Sequence, residues 1–189
     1  MQSPTIRRAI PSDAAALSTF AASVFALGCP ETAASDLAAY IAAELAPASV
    51  LTLLDDPNIF VLLAETSAPA GSALPTGPSI VAYMVVARRS PHPHLSATAP
   101  AEFRKLYLDP IYHGSGLAGA LVQEALAILR DEGPCPIWLS VFSENSRAIV
   151  FYKKWEFRIV GPQEFVVGAD RQKDFLMLRD PEANPASGG

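Results

Sequence analysis

Cysteine is nearly absent from this chain: Cys29 and Cys135 are the only two among 189 residues. Two thiols so far apart form no disulfide framework, and neither has a second ligand at metal-binding spacing. Both read as small, buried or half-buried apolar groups. Histidine is scarce too, and His92 and His94 sit in the loop Pro91-His92-Pro93-His94 without a cluster of partners, so no metal is expected. Basic residues are outnumbered, 14 Lys and Arg against 19 Asp and Glu, where a nucleic-acid surface needs a basic face. No apolar run approaches the ~20 residues of a membrane span. The opening Met1-Gln2-Ser3-Pro4 lacks the basic and apolar segments of a secretory leader. The expectation is a cytoplasmic protein that binds neither nucleic acid nor membrane.

What is present is the composition of a folded chain: half the residues are hydrophobic and 17% are charged. The length suits one domain, expected over residues 1–180, with a Pro/Ala/Ser/Gly tail at 181–189 expected to be disordered. Apolar spacing predicts a short strand at Thr5 to Ala9 and helices over Ala14 to Phe25 and Glu31 to Leu45, with a helical turn at Val50 to Leu54. Strands follow at Ile59 to Glu65 and Ile80 to Arg88, joined by a Pro- and Gly-rich loop too long to be tight. Then come a strand over Phe103 to Leu108, a helix from Leu117 to Asp131 and a strand over Pro136 to Phe142. A helix from Asn145 to Lys154, a strand over Phe157 to Val167 interrupted at Gly161-Pro162, and a short strand at Phe175 to Leu178 complete the order. The class is α/β, with a glycine-rich turn at the carboxyl end of a strand, where such folds bind ligands.

That turn is Tyr112-His113-Gly114-Ser115-Gly116-Leu117-Ala118-Gly119. Main-chain amides bunched at a helix start, with no side chains in the way, form a site for phosphate oxygens, and the helix dipole adds to the attraction. The Gly-Lys-Ser/Thr ending of a Walker loop is missing. Gly114 to Gly119 matches G-x-G-x-x-G by letters, but it lies past mid-chain, and Glu144 stands beyond the end of the next strand rather than at it. This weakens a nicotinamide or flavin reading. Downstream, Asn145 opens a helix on which Ala148, Phe151 and Tyr152 share one face, bringing an amide and a phenol together.

Together these segments resemble the GCN5-related N-acetyltransferase (GNAT) superfamily. Its signature Q/R-x-x-G-x-G/A is answered by His113-Gly114-Ser115-Gly116-Leu117-Ala118, with His113 in place of glutamine or arginine. A second signature is answered by Asn145, Ala148, Phe151, Tyr152 and Phe157, with Glu156 where a glycine is usual. Such a glycine supplies a positive φ at the helix end. Within the superfamily the likeness leans toward PaiA-like spermidine/spermine acetyltransferases, through Lys105-Leu106-Tyr107-Leu108, Phe151-Tyr152-Lys153-Lys154-Trp155 and the segment Phe165 to Met177.

The resemblance implies a mixed, mostly antiparallel sheet splayed at an acetyl-CoA site and flanked by helices. It implies that the Gly114 to Ala118 amides hold the diphosphate, with His113 at their head. Main-chain groups of Leu106, Tyr107 and Leu108 would meet the pantetheine arm and thioester, with Leu108 N–H polarising the carbonyl. Asn145 would hold the pantetheine amides, or cap its helix, or both. Tyr152 would be the general acid to the sulfur, a task that suits a phenol. The general base is open between Glu102, Glu144 and a water relay. The implied activity is acetyl transfer from acetyl-CoA to a primary amine, a polyamine or a peptide, by direct attack in a ternary complex. A homodimer is in keeping with the superfamily. The competing reading is a catalytically inactive acyl-CoA-binding protein, suggested by the departures at His113 and Glu156.

Overall fold

The computed structural model of this chain describes residues 4–28, 32–67, 78–96 and 99–181. Its centre is a seven-stranded sheet in the order β1-β2-β3-β4-β5-β7-β6. The strands are β1 (Thr5–Arg8), β2 (Ile59–Ser67), β3 (Pro78–Ala87), β4 (Ala101–Leu108), β5 (Ile137–Phe142), β6 (Arg158–Val167) and β7 (Asp170–Arg179). Five helices accompany them: α1 (Ala14–Gly28), α2 (Ala34–Glu44), α3 (Pro47–Asp55), α4 (Leu117–Glu132) and α5 (Ser146–Lys154). Every pairing is antiparallel except β4 with β5.

The sheet has a core on each face. Phe60 to Ala64 and Val81 to Ala87 are continuous buried runs, as expected for strands covered on both sides. One face carries Phe60, Leu62, Met84, Phe103, Leu139 and Met177 against Leu121, Val122 and Leu129 of α4 and Ile149 of α5. The other carries Val61, Leu63, Tyr83 and Val85 against Leu17, Ala21 and Phe25 of α1 and Val50 of α3.

The parallel pair is where the sheet comes apart. Its ladder has two rungs, Ala101↔Ile137 and Glu102↔Trp138, although β4 runs on to Leu108 and β5 to Phe142. On its other edge β4 stays paired with β3 as far as Leu108↔Ala82. A bulge at Arg104 falls where the strands part: Phe103 faces Val86 and Lys105 faces Val85, leaving Arg104 as the extra residue. Bulges bend and twist their strand. From Phe103 onward, β4 therefore turns main-chain groups toward β5 without a strand to receive them.

Elements longer than expected are the main departures from the sequence pattern. The expected strand at Phe175 to Leu178 is the second half of a ten-residue strand that turns back on β6 through Gly168 (φ +59°). Its first half, Asp170 to Lys173, is polar because this hairpin lies at the edge of the sheet. The expected turn near Val50 is a nine-residue helix that starts with Pro47 in its first turn, where the missing N–H costs nothing. Gly161-Pro162 does not end β6. A register shift between Ile159 and Gly161 absorbs the irregularity, and an edge strand tolerates the proline. Cys29 and the tail after Pro181 lie outside the described residues. Among the described residues no single helix is long and apolar enough to cross a membrane.

Candidate active site

From the end of β4 the chain enters a single 3-10 turn, Pro110–Tyr112, whose preceding Asp109 side chain accepts from Ile111 N at 3.0 Å. Gly114 and Gly116 follow at φ +80° and +85°, left-handed values that a side chain resists. A Cβ at either position would meet nothing within 4 Å, so the backbone angle, and not crowding, calls for glycine there. Gly116 is the N-cap of α4 and has no side chain to accept from the helix's first amides. The turn is braced from below: Ser115 Oγ donates to Tyr112 O at 2.7 Å and accepts from Leu117 N at 3.3 Å. Buried Leu117, Leu121, Val122, Ala125 and Leu129 fix α4 on the sheet.

His113 is exposed at the head of the turn, and its Nδ1 accepts from Arg147 Nη1 of α5 at 2.9 Å. The other ring nitrogen then carries the proton. Partial burial, and after it the Arg147 charge, hold the imidazole below the ordinary histidine range, with Asp109 opposing. Arg147 is a residue that the sequence pattern passed over. A guanidinium beside the glycine turn is visible only once α5 is packed against it.

Along the opened edge, Leu106 and Leu108 pack on the α4–α5 side, while Tyr107 turns to the other face and stacks on Tyr83 at 5.7 Å between centroids. Asn145 is the N-cap of α5: its Oδ1 accepts from Ala148 N at 3.0 Å. Its amide NH2 stays free of that bond, so capping and ligand binding are compatible in one side chain. Tyr152 is held edge-on by Phe151 and Phe157, with centroids 5.2 and 5.6 Å away. Burial raises its pKa above the ordinary phenol value, so it is protonated at neutral pH. Among the described residues its hydroxyl makes no hydrogen bond.

The structure separates the two other candidates from these groups. Glu102 lies on the last rung before the split, where its carboxylate accepts from Ser90 Oγ at 2.7 Å and Arg104 Nε at 2.9 Å. Six residue steps of extended chain, roughly 20 Å, separate it from Leu108. Glu144 is exposed in the turn after β5. Glu156 adopts φ +66°, the left-handed angle for which a glycine is the usual residue.

Solved structures of N-acetyltransferases share this fold. The PaiA N-acetyltransferase of Thermoplasma acidophilum, solved with coenzyme A, superposes with a TM-score of 0.70 at 20% identity, over 95% of this chain and 99% of its own. NAA60 of Arabidopsis thaliana, solved with acetyl-CoA, gives a TM-score of 0.70 at 16% identity, over 94% and 98% of the two chains. The chain belongs to the Acetyltransferase (GNAT) family, whose model matches residues 35–157, and is an acyltransferase. An uncharacterized N-acetyltransferase of Mycobacterium tuberculosis is 34% identical over 170 residues, spanning 89% of this chain and 98% of the relative.

Proposed function

We propose that this protein transfers the acetyl group of acetyl-CoA to a primary amine by direct attack in a ternary complex. The observation that carries the reading is the two-rung β4–β5 ladder, which leaves a main-chain-lined slot on the strand that runs into the glycine turn before α4. In this reading the amides of Gly114 to Ala118 take the diphosphate and Arg147, fixed by His113, adds a cation beside it. The main chain of Leu106 to Leu108 and the Asn145 amide hold the pantetheine arm. Leu108 N–H polarises the thioester carbonyl, and Tyr152 gives its proton to the departing sulfur.

Helices α4 and α5 cover one face of the slot, so the acceptor enters from the other. There Ser140 and Phe142 of β5 are exposed and Lys105 and Tyr107 of β4 are half-buried. Lys105 Nζ lies 5.9 Å over the ring of Tyr40, and this cation weighs against a strongly polycationic acceptor such as spermine. A monoamine or a peptide amino terminus suits the face better. Spermidine remains within the class that the PaiA likeness suggests.

Calorimetric titration with acetyl-CoA, CoA and NAD, followed by thiol release with a panel of amines, tests the reading. Binding of acetyl-CoA but not NAD, with amine-dependent thiol release, is the expected result. Binding without release by any amine would support the alternative of an inactive acyl-CoA-binding protein.

A further inference from the structure

An acceptor amine is an ammonium at neutral pH, with a pKa near ~10, and must lose a proton before it attacks. The face by which it enters holds a group suited to take that proton. Asp174 of β7 sits opposite Phe142 of β5 and Gln163 of β6. The residue is only 7% exposed; its Oδ2 accepts from Ser140 Oγ at 2.7 Å, and its Oδ1 is buried with no hydrogen-bond partner among the described residues. Leu139 and Val141 of β5 point into the α4–α5 core, so Ser140 between them points to the opposite face. Ser140 is exposed there, beside the slot, and stands between the buried carboxyl and the entering acceptor. A buried carboxyl with one oxygen unpartnered is costly, which marks it as a group kept for a task.

We propose that Ser140 and Asp174 form the proton relay of the acetyl transfer, with Ser140 touching the acceptor and Asp174 acting through it. The inference rests on the acetyltransferase reading above. The ammonium N–H bond breaks as its proton passes to Ser140 Oγ, and the Ser140 hydroxyl proton passes to Asp174 Oδ2. The freed amine then forms the C–N bond at the thioester carbon. The C–S bond breaks and the sulfur takes the Tyr152 proton. The second nitrogen proton restores the phenol through solvent, and Asp174 returns its proton to solvent, so one proton leaves per turnover.

Burial pushes the Asp174 pKa up and the Ser140 bond pulls it back, burial being the larger influence. The ionisable groups sharing its face are His92 from the β3–β4 connection, Glu102, Arg104, Lys105 and Tyr107 of β4, Tyr83 of β3, and Tyr40 and Glu44 of α2. Asp36 and Asp170 lie at the β6–β7 hairpin, and α1 carries no charge. His92 Nε2 lies 3.3 Å from Gln163 Oε1, beside Asp174 across β6.

The test compares wild type with Asp174→Asn, Ser140→Ala and the double variant, using spermidine, tyramine and a tripeptide with a free amino terminus. For an amine that wild type acetylates, each single variant is expected to lose roughly 100-fold in kcat/KM. The double variant should lose no more than the worse single one. The fall of wild-type rate toward acid pH should vanish in Asp174→Asn, and acetyl-CoA affinity should hold within a factor of about two in all variants. A carboxyl whose pKa is raised by folding stabilises the fold below its unfolded pKa and loses that contribution as pH rises through the folded value. Asp174→Asn should therefore be no less stable than wild type at neutral pH. Full activity with an unchanged pH profile in both single variants overturns the relay alone. So does a uniform loss of stability, acetyl-CoA binding and rate with the profile retained. Should Asp174→Asn fail to fold, Ser140→Ala decides by the same readings. A wild-type protein that releases no thiol with any amine overturns the acetyltransferase reading and the relay with it.

Discussion

The two sides of the β4–β5 slot are built on different plans. In the proposed reading the cofactor side is made from two continuous stretches, Tyr112 to Ala118 and Asn145 to Phe157, and its contacts would be largely main chain. The proposed acceptor side is assembled from single side chains on separate elements: Tyr40 from α2, Lys105 and Tyr107 from β4, Ser140 from β5 and Asp174 from β7. A main-chain site constrains residues locally, because the backbone angles themselves demand glycine. A side-chain site constrains no neighbour in sequence, so any element can change what it contributes without disturbing the others. One side can then keep a common cofactor while the other varies its substrate.

Substitutions on the two sides should separate binding from turnover, and the largest effect belongs to the turn. Gly116→Val places a β-branched residue at φ +85°. It should weaken acetyl-CoA binding by roughly 100-fold or more by misplacing the amides that receive the diphosphate, as read by calorimetry. Retained affinity would mean that the main-chain plan is wrong. Tyr152→Phe should lower kcat by roughly 100-fold while leaving acetyl-CoA affinity within about two-fold, because only the hydroxyl is lost. A change in affinity instead would move Tyr152 from the chemistry to cofactor binding.

Arg147→Ala tests whether a side chain contributes to the main-chain side at all. A rise in the acetyl-CoA dissociation constant of roughly 5-fold, about 1 kcal/mol, is expected, with a weaker dependence of binding on salt. The smallest effect should come from a backbone angle at the end of the second stretch, where no ligand contact is assigned. Glu156→Gly removes a left-handed non-glycine residue at the end of α5, which costs about 1 kcal/mol. Thermal unfolding should move up by a few degrees with kcat/KM unchanged. A drop in activity would show that the strained turn helps to place Tyr152, four residues earlier.

Much of the local geometry of the proposed cofactor side is legible in the amino-acid sequence. Gly114 and Gly116 stand where φ is positive, Asn145 caps α5 as its type suggests, and Tyr152 falls on the face that its spacing from Ala148 indicates. The acceptor side is not legible there. In Arg171-Gln172-Lys173-Asp174 the aspartate looks like one more charge on a solvated edge, and only pairing with both β5 and β6 buries it. Ser140 in the apolar run Trp138-Leu139-Ser140-Val141 carries no mark of function until β5 parts from β4. The partners of Glu102 are equally hidden in the sequence: only the fold shows that its carboxylate accepts from Ser90 and Arg104.

Sequence alone determined the features that depend on local backbone geometry: the left-handed glycines, the capped helix α5, and the apolar faces that seat α4 and α5 on the sheet. Only the tertiary structure decided how far β4 and β5 stay paired, which guanidinium meets His113, and which acid is buried behind Ser140. Those outcomes depend on strand register and on contacts between residues distant in the chain, and no short stretch of sequence encodes either. The glycines and the cap, by contrast, answer to angles and hydrogen bonds that close within a few residues.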